Sequence, residues 1–74
     1  MYSFNFYYDD DKNRLFQHIV RAEYSIGSSR IVVSGDELLS HCFPLDETLH
    51  IFSDSASFSV SEKQLRYLEI LKEN

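Results

Sequence analysis

Seventy-four residues make one domain, spanning residues 1–74, and so small a chain needs well-matched packing or a partner to hold its core. The single cysteine, Cys42, excludes an internal disulfide, and no run approaches the ~20 apolar residues of a membrane span. Twelve acidic against seven basic residues give a net charge of −5, which speaks against direct binding to nucleic-acid phosphates and permits the occupation of a basic groove instead.

In chain order, Met1 to Tyr8 reads as a strand with Tyr2, Phe4, Phe6 and Tyr8 on one face and Ser3, Asn5 and Tyr7 on the other. Asp9-Asp10-Asp11-Lys12-Asn13 follows as a polar loop of hairpin length. Arg14 to Ile26 reads in two ways. As a strand, Phe16, His18, Val20, Ala22, Tyr24 and Ile26 share a face, with Leu15 and Ile19 as exceptions; as a helix, Leu15, Phe16, Ile19, Val20 and Glu23 share a side. The β-branched and aromatic content favours the strand. Gly27-Ser28-Ser29 is a turn, and Arg30 to Ser34 is a short apolar strand. Asp36 is placed to cap a helical turn over Glu37 to Cys42, which Pro44 would stop; a loop or further strand through the same residues is the competing reading. Ser34 with Glu37 makes a capping-box spacing weakened by Gly35.

From Thr48 the pattern sharpens. Leu49 and Ile51 alternate about His50, and Ala56, Phe58 and Val60 alternate with Ser57, Ser59 and Ser61. Ser53-Asp54-Ser55 between the two runs is turn chemistry, because short polar side chains bond to their own backbone. Ser61 then stands at an N-cap position with Gln64 three residues on, predicting a helix to the C-terminus. On that helix Leu65, Tyr67, Leu68 and Leu71 make a broad apolar side with Ile70 at its edge, and Glu62, Arg66, Glu69 and Glu73 make a polar strip. Glu62 in the first turn and Lys72 in the last agree with the helix dipole. The apolar side is wider than one sheet face needs: it reads first as core packing, with the helix wedged between the sheet and a loop, and second as a fringe, Tyr67 and Ile70, that faces a partner.

Chemistry is sparse. The Asp9-Asp10-Asp11 run lacks the alternating ligands, central glycine and terminal Glu of a calcium loop. It reads first as a solvated hairpin tip and second as an acidic knob for a basic partner. Asp36-Glu37, Asp46-Glu47 and Asp54 also fall at turns, and a sheet that gathered them at one end would carry a negative steering patch. His18, His41, Cys42 and His50 lack paired zinc-ligand spacing, and Cys42 reads as a buried thiol. No GxSxG elbow holds a serine, and two glycines eight positions apart make no phosphate loop. No cofactor and no catalytic role is expected. The alternating serines read as a solvent face and, secondarily, as a flat strand open to pairing with another chain. Tyr7, on the polar face of the first strand, is a further interface candidate, because aromatics with a polar tip are enriched in hot spots.

The expected fold is α+β: a small antiparallel sheet of four to five short strands in meander order, with the C-terminal helix packed on one face. The expected function is that of a small acidic, non-enzymatic module that inhibits or regulates a larger protein by occupying a site on it, a basic nucleic-acid-handling groove included. The candidate contacts are Asp9, Asp10, Asp11, Asp36, Glu37, Asp46, Glu47, Tyr7, Tyr67 and Ile70. Size, negative charge, surplus aromatics and the missing catalytic apparatus form a profile similar to that of the small acidic inhibitors carried by phages and other mobile elements, including anti-CRISPR and nucleic-acid-mimic proteins; no motif is shared. The alternative is an assembly subunit that dimerises through the helix fringe or an edge strand. The lack of a basic, apolar leader and of a cysteine framework points to an intracellular, cytoplasmic setting.

Overall fold

The computed structural model describes residues 1–61 and 65–74, and its strands all belong to one antiparallel sheet. Its strands are β1 (Tyr2–Tyr8), β2 (Asn13–Ile26), β3 (Ser29–Ser34), β4 (Leu49–Ser53), β5 (Ser57–Val60) and β6 (Leu65–Lys72). Among the described residues the one helix is the four-residue α1 (Glu37–Ser40), whose preceding Asp36 makes no side-chain cap bond. The α+β expectation is therefore corrected to a fold that is almost entirely β.

The largest correction falls at the C-terminus. Leu65 to Lys72 is a strand that pairs with β1 from Tyr2↔Lys72 through Phe4↔Ile70 to Tyr7↔Tyr67. Leu65, Leu68 and Leu71 have helical spacing by accident of which face each residue takes. Leu68 and Ile70 lie opposite Phe6 and Phe4 on the inner face, whereas Tyr67, Glu69 and Leu71 lie on the outer one. Glu62 and Gln64, which carried the dipole and capping-box arguments, lie outside the described residues.

β2 is the strand around which the rest is arranged, and it is observed as a strand over its whole length. Fourteen residues in a straight strand would reach roughly 43 Å, yet the longest dimension of the molecule is 33 Å. The strand must bend, and two irregularities let it. Between Tyr2↔Ile19 and Phe4↔Phe16, β1 advances two residues while β2 advances three, with His18 held at φ 63°. Between Ile19↔Ser53 and Arg21↔Phe52, β2 advances two residues against one on β4. The bulges also explain why the alternation failed at this stretch: Ile19 is fully buried and His18 is exposed.

The bend folds the sheet over itself. The order is β5-β4-β2-β1-β6, and β3 follows β1 along the same edge of β2, since β4 holds the opposite edge. Gly27, at φ 60°, makes the two-residue β2–β3 turn. Phe4, Phe6, Ile19, Leu38 and Ile51 fill the interior. Phe16 reaches from the β1 half to Phe58 on β5 with ring centroids 5.0 Å apart, and Phe43, from the loop after α1, meets Phe4 at 6.2 Å. That loop lies against β6 and leaves Cys42 exposed, where the sequence reading expects it buried.

Candidate protein-docking site

The β1 half of the sheet turns its outer face to solvent, and antiparallel register decides what stands there. Asn13, Tyr7 and Tyr67 form one cross-strand row, Leu15, Asn5 and Glu69 the next, and Ser3 and Leu71 a third. The Tyr7 and Tyr67 rings stack with centroids 4.5 Å apart and planes 13° from parallel. Asn13 Nδ2 donates to Asn5 Oδ1 at 2.8 Å, Asn5 Nδ2 donates to the Tyr7 hydroxyl at 2.9 Å, and that hydroxyl reaches Glu69 Oε1 at 3.4 Å. Partial burial, reinforced by Glu69 and Tyr67, raises the Tyr7 hydroxyl above its ordinary pKa, so it stays a neutral donor. Tyr67 is 45 % exposed and Leu71 56 % exposed, so the pair sits in a surface that is both apolar and acidic.

A groove of about 280 Å³ borders this face. Leu39 of α1 and Phe43 and Leu45 of the loop after it line one side, Leu68 and Ile70 line the other from β6, and Tyr67 joins them. His41 and Cys42 also border it, but His41 Nε2 is 2.6 Å from the Tyr24 hydroxyl. The Nε2 of this imidazole is thereby engaged by tyrosine.

Three of the ten residues singled out from sequence thus meet: Tyr7 stacks on Tyr67, and Tyr67 shares the groove with Ile70, whose side is now that of a strand facing the core. The acids do not gather. Asp9, Asp10 and Asp11 form the β1–β2 tip, where Asp10 faces Lys12 at 3.9 Å and Asp11 faces Arg66 at 3.6 Å. Asp36 stands at the other end of β1, bound by the Tyr2 hydroxyl and by Lys72 at 3.2 Å. These contacts hold its carboxyl below the usual range, the Tyr2 hydrogen bond contributing most. The seven residues of β1 put roughly 20 Å between the two groups. Glu37 opens α1, and Asp46 and Glu47 are exposed in the loop before β4.

Two arrangements escaped the sequence reading. Glu73 accepts from the His18 amide at 2.7 Å and from Ser3 Oγ at 2.9 Å, and lies 2.9 Å from His18 Nδ1, clamping the bulge. On the other half of the outer face, Ser59, His50 and Glu23 fall in line across β5, β4 and β2, with Ser59 Oγ 2.9 Å from His50 Nδ1. The row has no relay chemistry, because the Glu23 carboxylate is taken by Arg21 at 3.1 Å and by Arg30. Neither cluster has a local spacing that announces it; both arise from register. Among the described residues no three His, Cys, Asp or Glu side chains come together as metal ligands, and no helix is long and apolar enough to cross a membrane. Compared with protein-family models, with curated proteins and with solved structures, the chain matches none.

Proposed function

We propose that the protein is a small acidic binding module that inhibits or regulates a larger partner by docking the Tyr7–Tyr67–Glu69 face onto a basic surface. The observation that carries this reading is the stacked tyrosine pair held beside a carboxylate on an exposed sheet face. A guanidinium or ammonium group placed there meets a ring face and a negative charge together. A net charge of −5 would steer such a partner to the molecule. The separation of the acidic turns moves the proposed contact away from a mimic patch and onto this face; Asp9 to Asp11 serve attraction at a distance. Capture of partners from the source lysate tests the reading, comparing the wild type with Tyr67→Ser/Glu69→Lys and with Asp9→Asn/Asp10→Asn/Asp11→Asn. A partner lost with the first variant and kept with the second supports it. A partner lost with the second alone returns the contact to the hairpin tip.

The second reading is a homodimer. Leu15 and Leu71, 53 % and 56 % exposed on the same outer face, favour it. Light scattering coupled to size exclusion separates the two, since a monomer at micromolar concentration removes the dimer.

A further inference from the structure

β6 pairs with β1 along one edge, and no other strand among the described residues pairs with it. Every second residue of β6 therefore turns its N–H and C=O toward a ladder position that no described strand fills. β3 and β5 also have one partner each, but β5 is only four residues long and β3 six, against eight for β6. Natural edges are blunted by bulges, shortness or lysine. Here the irregularity lies at the Tyr7/Tyr8 step and the lysine is Lys72, which leaves Tyr67 to Leu71 regular between them.

We propose that β6 is an acceptor edge for an extended segment of the partner, whose residues alternate apolar and basic and which adds to the sheet as a seventh strand. This rests on the docking reading above and specifies how the partner is held. Side chains of an added strand alternate between faces. Those on the inner side would enter the 280 Å³ groove between Leu39, Phe43 and Leu45 and the β6 residues Leu68 and Ile70. Those on the outer side would stand beside Tyr67 and Glu69, where the geometry takes a cation. A second copy of this chain fits less well: antiparallel pairing about Glu69 would set two carboxylates opposite each other in chains of net charge −5.

The test uses a fluorescent eight-residue peptide of alternating valine and arginine, capped at both ends. Two derivatives are N-methylated, one at all the valines and one at all the arginines. In an antiparallel strand one of these sets turns its N–H groups toward β6 and the other away. The unmodified peptide should bind the wild-type protein and slow amide exchange at alternate residues between Tyr67 and Leu71. One methylated peptide should lose at least tenfold in affinity while the other binds as the parent does. Equal affinity of both methylated peptides would overturn strand addition and leave cation docking standing. No binding by any of the three, up to millimolar concentration, would overturn both. Exchange protection confined to β3 or β5 would overturn the assignment of the edge.

Discussion

At Glu73 one carboxylate fastens the C-terminal end of the chain to the bend in β2. Its oxygens take the His18 amide and Ser3 Oγ, and its own amide donates to the Met1 carbonyl at 2.9 Å. The His18 amide bond does most to hold the Glu73 carboxyl below its ordinary value of 4.5. A carboxyl depressed in the folded state contributes stability that is complete above the unfolded value and is lost as pH falls through the folded one. Glu73→Gln should therefore lower the urea midpoint at pH 6, and the gap to wild type should narrow by pH 3. A gap that ignores pH would remove the clamp. His18 offers a second test, because a β-branched residue tolerates its φ of 63° poorly. His18→Val should cost about 1–2 kcal/mol more than His18→Gly in denaturant unfolding. None of this was legible in the sequence. The sequence reading set His18 on the alternating face with Ile19 as an exception, and placed Glu73 on the polar strip of the expected helix.

At the scale of elements, β1, β4 and the Ser53 turn were legible because each carries its own signal. Tyr2, Phe4, Phe6 and Tyr8 alternate cleanly, and Ser53 Oγ accepts from the Ala56 amide at 3.1 Å as short polar turn residues do. β6 was not legible because apolar residues stand on both of its faces. Leu68 and Ile70 pack inward, Tyr67 and Leu71 face outward, and the sum imitates a broad helical stripe built from good helix formers. Pairing with β1, 57 to 70 positions away in the chain, decides the matter, and no local window contains it. The two structures differ in what they ask of the leucines. On a helix Leu68 and Leu71 would share the buried side; on β6 only Leu68 faces inward. Leu68→Ser should cost about 2–3 kcal/mol, whereas Leu71→Ser should stay within about 0.5 kcal/mol. Chemical denaturation of both variants checks this, and equal costs would argue for the helix.

At the scale of the whole molecule, charge and shape divide the labour. The acids at the β1–β2 tip and beside α1 lie at opposite ends of β1, so they give the molecule a general negative field and no single patch. The proposed docking face would take its specificity from register, which brings Tyr7 to Tyr67 across sixty residues of chain. Sequence could nominate these tyrosines from their type and their faces; it had no means of pairing them. Association with a basic partner should therefore slow as ionic strength rises, mostly through the on-rate, while Tyr67→Ser should act mostly on the off-rate. Stopped-flow or surface-plasmon measurements at two salt concentrations read both.

The proposed docking face, the proposed acceptor edge and the groove all depend on β6 being a strand paired with β1. Proton NMR of the labelled protein tests this directly. Cross-strand Overhauser contacts should link Asn5 with Glu69 and Tyr7 with Tyr67, at the register described. Medium-range contacts from Leu65 to Leu68 and from Leu68 to Leu71, without the cross-strand set, would contradict the account.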